Sequence, residues 1–444
     1  MPEPLCENTF AKRVTTVTSN EETARKDDQE ELADPIDRVI VPAYRSLMPN
    51  WTTDSTRVRA RDASQDTPPA HDRTCDANAE LDALKKRYAE LISGDGEVEA
   101  AGFRLRHWLG QGGQGVVYLA ECSGVDGFVN KDLALKLFSP RNYPTLAAYE
   151  KDMKRIAQVA SIIAGIDQGN LLDIHRFEIC DGIRMMIMKR IMGYDLRSLM
   201  NPNMLDRVKQ RDPALAADLT KIVATAGPQY TKFKPGAAVA VIRSCLEALD
   251  RLHSRGVVHG DVKPSNIMIT PEGDVKLVDS GSAFRWQKSQ EPYFCTPRYA
   301  ALEVLEQGEC TPRSDLASLG YVLVELLTGR PVFPDRRPPT PRETSMPQEA
   351  STGIKPELDP DLAGEKRELP KQLDQLLGRH SPLLRQLCRN LIDPDPHGRF
   401  EDACTAELHA FKFIQQLEQA GLACHFHHEF RRWIKALQPV AEKC

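Results

Sequence analysis

The sequence predicts an α+β protein of two lobes, the first mostly β and the second mostly α. Short apolar runs at strand spacing crowd residues 103–188 around one helical stretch. From Ala237 onward, apolar residues recur at helical spacing instead. The composition, 41% hydrophobic and 27% charged over 444 residues, is that of a soluble globular protein.

In the first block, Phe103-Arg104-Leu105-Arg106 alternates as a strand. Gly110-Gln111-Gly112-Gly113-Gln114-Gly115 then turns the chain into a second strand, Val116-Val117-Tyr118-Leu119-Ala120. Leu133–Phe138 reads as a third strand, and Leu146–Ala160 as a helix through Tyr149, Met153, Ile156 and Ala160. Further strands fall at Ile174–Ile179 and Arg184–Met188. In the second block, Val241, Cys245, Leu249 and Leu252 line a helix face, and Leu316–Leu327 is an apolar helix stopped by Gly329.

Outside these blocks, residues 1–78 are polar and predict a mostly disordered extension. Leu81, Leu84, Tyr88 and Leu91 predict a helix within residues 79–101, packed on the following domain or, alternatively, turned to a partner. Asn201–Lys234 lengthens the connection between two helices. Pro334–Pro370, rich in Pro, Ser, Thr and charge, reads as a surface loop and an accessible site for autophosphorylation. Within the tail, residues 413–444, Phe426, Phe430, Trp433, Ile434 and Leu437 predict a helix that docks on the larger lobe or recruits a partner.

The bulk properties exclude several classes. A net charge of −5 gives no broad grip on nucleic acid or anionic lipid. The sequence contains no apolar run of bilayer length and no signal-peptide core in Met1–Glu30, so a cytoplasmic protein without a membrane span is expected. None of the 11 cysteines stands at Cys-x-x-Cys spacing, which fits reduced thiols. Cys424-His425-Phe426-His427-His428 is one close group where zinc needs two separated pairs, and it reads as helix surface rather than a metal site.

Chemistry concentrates in three places. Gly110, Gly112 and Gly115 free backbone N–H groups to approach phosphate oxygens. Their place between two strands, not ahead of a helix, argues against a dinucleotide site. Lys136, between Leu135 and Leu137, points to the opposite strand face and can reach the same phosphates, though a solvated edge lysine is the plainer alternative. Ala134 shares its face and is small enough to lie against a flat ring. Finally, His259, Asp261, Lys263 and Asn266 lie between apolar strands, with Asp279 ending the next one. Phosphoryl transfer uses this set: a carboxylate for the attacking hydroxyl, a cation for the moving phosphoryl group, and an amide and a carboxylate for magnesium.

From about Phe103 to Lys412 the chain resembles the eukaryotic-type serine/threonine protein kinase family, and Gly260 and Ser280 point to a bacterial member. The resemblance implies a two-lobed kinase fold over residues 102–412. Its N-lobe (102–190) would be a small antiparallel sheet with one main helix, and its C-lobe (191–412) larger and helical. It assigns Gly110, Gly112, Gly115 and Val117 to the glycine loop, and Ala134, Met188 and Ile191 to the adenine pocket. Lys136 becomes the phosphate-binding lysine, Asp195 the ribose contact, Asp261 and Lys263 the catalytic pair, and Asn266 and Asp279 the metal ligands. Glu150 or Asp152 would be the helix acid on Lys136, with Glu150 preferred for its reach. Lys263 and Thr296 are similar to the Ser/Thr class. Asp315 resembles the aspartate that braces the catalytic loop, and Glu303 of Ala301-Leu302-Glu303 the partner of Arg399.

The implied cosubstrate is ATP with magnesium or manganese, and the implied partners are proteins with Ser/Thr acceptors. Docking would fall to the N-terminal extension or the tail helix. Gly260 stands where the family has an arginine that senses a phosphorylated activation loop, so weak dependence on such phosphorylation is expected. Ser280 replaces the usual Phe, leaving the active geometry less tightly held. Two readings follow: an active kinase, or a nucleotide-binding pseudokinase scaffold. A small-molecule kinase is disfavoured by Ala301–Glu303 and Asp315.

Overall fold

The computed structural model describes residues 70–93, 98–100, 102–124, 128–286, 295–333, 360–422 and 425–438. Most of the extension expected over residues 1–78, and residues 334–359 of the expected loop, lie outside the described residues. Helix α1 (Ala70–Ser93) begins ahead of the expected residue 79. Its Leu81, Leu84 and Tyr88, three and four apart, are buried, and Leu84 and Tyr88 join the core of the lobe that follows. This helix therefore packs on the domain.

Strands β1 (Val98–Ala100), β2 (Phe103–Gly112), β3 (Gly115–Ser123), β4 (Val129–Phe138), β5 (Ile174–Cys180) and β6 (Ile183–Lys189) form one antiparallel sheet, in the order β1-β2-β3-β4-β6-β5. In β4 every residue from Leu133 to Phe138 is buried. Period-two alternation sends Leu135 and Leu137 to one face, and Ala134 and Lys136 to the cleft. Helix α2 (Leu146–Ala164) follows β4. Thr145 caps it, its Oγ1 accepting from Ala148 N at 3.1 Å. Tyr149, Met153, Ile156, Val159, Ala160 and Ile163 form its buried stripe.

The second lobe runs through β7 (Tyr194–Asp195), α3 (Leu196–Leu199), α4 (Asn203–Arg211), α5 (Pro213–Ile222), β8 (Ala224–Ala226), β9 (Thr231–Phe233) and α6 (Pro235–Ser254). It continues through β10 (Val257–Val258), β11 (Ile267–Ile269), β12 (Val275–Leu277), β13 (Phe284–Arg285), α7 (Leu302–Glu306) and α8 (Pro312–Thr328). Helices α9 (Pro360–Leu377), α10 (Pro382–Ile392), α11 (Ala403–Gln419) and α12 (Phe426–Leu437) complete it. Helix α8 is the axis of the lobe, buried at every residue from Ser314 to Leu327. Thr311 and Ser314 cap its start reciprocally, and Gly329, at φ +66°, ends it. Helices α6 and α10 pack against it. Strands β11 and β12 form a hairpin joined on its β11 side by β7, and β10 pairs with β13. The segment between β12 and β13 meets the sheet lobe, where Asp279 and Ser282 contact Lys136 and Gln114.

One expectation changes. Residues 360–370 of the expected proline-rich loop are helical instead, because α9 starts at Pro360 and carries Pro370 inside it. Ala363, Lys366, Leu369, Leu373 and Leu377 recur at helical spacing and are buried, which outweighs the polar composition. Lys366 lies over the rings of Tyr321 and Phe333, 4.2 and 4.1 Å from their centroids, and donates to Arg298 O at 2.8 Å. Burial drives its ammonium pKa well below the ordinary value. The long connection of residues 201–234 between two helices folds into α4, α5 and the β8–β9 hairpin. Tail helix α12 docks on this insertion and on α6. Phe426, Phe430, Trp433, Ile434 and Leu437 are all buried, and Trp433 lies 5.6 Å from Phe233 between ring centroids. Among the described residues, no helix is long and apolar enough to cross a membrane.

Candidate active site

Two adjoining cavities of about 670 and 460 Å³ lie between the lobes, and both are lined by Gly110, Val117, Lys136, Asp195 and Asp279. The β2–β3 hairpin covers them. Gly115 has φ +149°, and a Cβ there would lie 1.9 Å from Leu137 O, so only glycine lets the hairpin lie this close to β4. A Cβ on Gly110 or Gly112 would meet nothing within 4 Å, which leaves their backbone open to a ligand.

The smaller cavity has the predicted adenine-pocket residues Ala134, Met188 and Ile191 in its lining, together with Val117 of the glycine loop. Leu172, Met268 and Val278 also line it and were not singled out from sequence. A period-two signal was available for Met268, which faces away from its buried neighbours Ile267 and Ile269. Asp195 stands at the junction of the cavities and caps α3, accepting from Ser198 N and Ser198 Oγ, both at 2.8 Å.

Lys136 is buried, but not against a helix acid. Its ammonium pairs with Asp279 and donates to Gln114 Oε1 at 2.8 Å. Gln114 in turn donates from Nε2 to Ser282 Oγ at 2.9 Å, which draws the tip of the glycine hairpin into the cleft. Glu150 does not meet Lys136. Its side chain is 54% exposed and faces Arg184 at 3.8 Å. The reason is helix phase: Tyr149 occupies the inward stripe, and the next residue turns outward by about 100°. Asp152 does not reach Lys136 either; it accepts from Tyr143 Oη and Arg155 Nε. Glu150→Gln should therefore keep stability within about 0.5 kcal/mol of wild type and leave fluorescent-nucleotide affinity unchanged. A clear loss of affinity would restore Glu150 as the partner of Lys136.

The loop of residues 259–266 is held by Asp315. Asp315 accepts from His259 N and Gly260 N at 2.9 Å each and lies 2.9 Å from His253 Nε2, the bracing role implied by the resemblance. Gly260 adopts φ +76°, and a Cβ there would come within 3.2 Å of Ser282 O. Asp261 Oδ1 accepts from Thr296 N at 3.0 Å and Thr296 Oγ1 at 2.7 Å, while Lys263 Nζ lies 2.8 Å from Asp261 Oδ2 and from Thr296 Oγ1. Asn266 Nδ2 donates to Asp261 O at 2.8 Å, so its amide oxygen is the donor left for a cation. Asp279 sits in the left-handed region at φ +62°, its side chain accepting from Gly281 N at 3.2 Å. The implied pair Glu303–Arg399 is bidentate, with both N–O distances 2.7 Å, and Ser314 Oγ donates to Glu303 Oε1 at 2.7 Å.

Burial opposes ionisation of Asp279, but adjacent Lys136 prevails and holds its carboxyl down at about 2, against an ordinary 3.8. A depressed folded-state value stabilises the fold above the unfolded value and loses that stabilisation as pH falls through the folded one. This contribution should be complete above about pH 4 and fade toward pH 2. Urea denaturation of wild type and Lys136→Met should show a stability gap that is steady from neutrality to about pH 4 and narrows below it toward pH 2. A constant gap would remove Asp279 as the partner.

A glycine hairpin over a lysine-bearing strand, facing an Asp-x-Lys-x-x-Asn loop and a second aspartate across a two-lobed cleft, defines the protein-kinase class of fold. Residues 103–413 match the family described as protein kinase domain, and the chain belongs to that family. The serine/threonine-protein kinase PknD of Mycobacterium tuberculosis is 32% identical over 238 residues, covering 52% of this chain and 30% of its own length. Serine/threonine-protein kinase PknH of Mycobacterium bovis is 29% identical over 235 residues, covering 52% and 34%. The chain thus spans only about a third of the length of these curated relatives. Among solved structures, the Mycobacterium tuberculosis PknI kinase domain is similar with a TM-score of 0.42 at 22% identity, over 71% of this chain and 97% of that one.

Proposed function

We propose that this protein is a serine/threonine kinase that transfers the γ-phosphoryl group of ATP to hydroxyls of protein substrates. One observation carries the reading: Asp261 is buried and held through both carboxylate oxygens by Lys263 and Thr296, beside the cavity that Asn266 and Asp279 line. In this mechanism Asp261 orients the attacking hydroxyl and accepts its proton, and Thr296 fixes the carboxylate for that task. Lys263 steadies the phosphoryl group in transit. Lys136 and the Gly110–Gly115 backbone hold the nucleotide phosphates, the Val117, Ala134, Met188 and Ile191 surface the adenine, and Asp195 the ribose. Asn266 and Asp279 offer hard oxygen donors and few of them, a set that suits magnesium or manganese with phosphate and water completing the shell. When bound, the ion neutralises charge developing on the phosphates.

A second reading has its own support. Lys136 is engaged by Asp279 and Gln114 and not by a helix acid, an arrangement that fits a nucleotide-binding scaffold as well. Incubation with labelled ATP and magnesium, followed by phosphoamino-acid analysis of a generic protein substrate, separates the two. Label on Ser and Thr supports the kinase; nucleotide binding with no label favours the scaffold. A cytoplasmic setting is part of the same proposal, and buried thiols such as Cys245, Cys295 and Cys388 suit a reducing compartment.

Gly260 carries no side-chain cation toward the activation segment, so activity should persist after phosphatase treatment. Loss of activity on dephosphorylation and its return on rephosphorylation would refute that independence.

A further inference from the structure

Helix α2 brings no carboxylate to Lys136, yet it is tied to the loop that carries Asp279. Arg155 reaches from α2 to the backbone just beyond that aspartate. Its Nη2 donates to Gly281 O at 3.1 Å, and its Nη1 donates to Ala283 O. On the other side of the guanidinium, Nε donates to Asp152 Oδ1 at 2.7 Å, and Asp152 Oδ2 accepts from Tyr143 Oη at 2.5 Å. The side chains of Arg155 and Asp152 are only 10% and 13% exposed. Burial and the Asp152 charge both push the Tyr143 phenol above its ordinary pKa, so it stays a donor.

The anchored segment needs such a hold. Ser280–Ser282 is a single 3₁₀ turn following a residue at φ +62°. Ser280 has a small side chain, and its buried Oγ has no hydrogen-bond partner among the described residues. The turn therefore has no large apolar side chain to pin it. A planar guanidinium fork is suited to holding two carbonyls in fixed relation, and its charge strengthens both bonds.

We propose that Arg155 is a positioning residue that sets the metal-binding geometry of Asp279 by gripping the carbonyls after it, with Asp152 and Tyr143 orienting the guanidinium. It couples α2 to the cleft in place of a lysine–carboxylate bond. The inference rests on reading the cleft as a phosphoryl-transfer site that takes a divalent cation, and the test separates the two ideas.

Fluorescent ADP is titrated with magnesium and again with a chelator. Variants Arg155→Met, Arg155→Lys and Asp152→Asn are compared with wild type and with Lys154→Met, an exposed neighbour. Arg155→Met should lose roughly 10–100-fold in affinity with magnesium, as outer-shell changes around a metal do, and little without it. Arg155→Lys and Asp152→Asn should fall between, and Lys154→Met should match wild type. Hydrogen exchange over residues 279–284 should quicken in the same order. Equal losses with and without magnesium, or no loss, would overturn the proposal. If Arg155→Met does not fold, the Lys and Asp152→Asn variants carry the same comparison. Phosphotransfer by wild type is scored separately: its absence sinks the kinase reading, while the magnesium-dependent difference still decides the role of Arg155.

Discussion

Asp261→Asn is expected to lower the phosphotransfer rate by about 10²–10⁴-fold while the protein stays folded. An asparagine fills the same space and can still accept from Thr296, whose N and Oγ1 lie 3.0 and 2.7 Å from Asp261 Oδ1. Its other terminal atom becomes a donor facing Lys263 Nζ, which lies 2.8 Å from Asp261 Oδ2. An amide cannot take the proton from an attacking hydroxyl. The check is turnover with saturating ATP and magnesium, alongside thermal unfolding of both proteins. Equal turnover would sink the assignment of Asp261 as base. Unaltered turnover in Lys263→Met would equally remove its partner.

Arg399→Ala should cost about 3–5 kcal/mol of stability, the usual result of removing one member of a buried ion pair. Both guanidinium arms meet Glu303 at 2.7 Å, and the two side chains are 0% and 6% exposed. Arg399 also donates to Asp393 O at 2.7 Å and Arg313 O at 3.0 Å. Its loss strands a buried carboxylate and two carbonyls while loosening Ser314, at the start of α8. Urea denaturation measures the effect. Replacing both partners with apolar residues, Glu303→Leu with Arg399→Met, should cost less than Arg399→Ala, because no charge is then left buried alone. If Arg399→Ala unfolds at the same urea concentration as wild type, this pair does not hold the lobe.

These effects differ in how far sequence could foresee them. Asp261, Lys263, Asn266 and Asp279 lie within a short stretch, and the strands flanking them bury alternate apolar residues. Local spacing therefore carries both the chemistry and its position. The same holds for Lys136, whose direction follows from strand periodicity. The helix acid was not legible in this way. Glu150 and Asp152 have suitable chemistry, but which face of α2 meets the sheet depends on how Tyr149, Met153 and Ile156 pack, a matter of one helical residue. The true contacts of Lys136 join residues far apart in sequence, Gln114 and Asp279, and no local pattern signals them. Helix α9 was hidden for a related reason: its polar composition and internal Pro370 read as loop, while its helical state depends on burying Leu369, Leu373 and Leu377 against the lobe.

By itself, the sequence determined the two-lobed order of strands and helices, the glycine hairpin and the grouping of Asp261, Lys263, Asn266 and Asp279, because each is written in periodicity or close spacing. Only the tertiary structure decided which charges meet across the cleft: Lys136 with Asp279 and Gln114, and Arg155 with the backbone beyond Asp279. Those pairings are set by the relative rotation and depth of packed elements, and a shift of one helical residue, about 100°, is enough to exchange a buried partner for a solvated one.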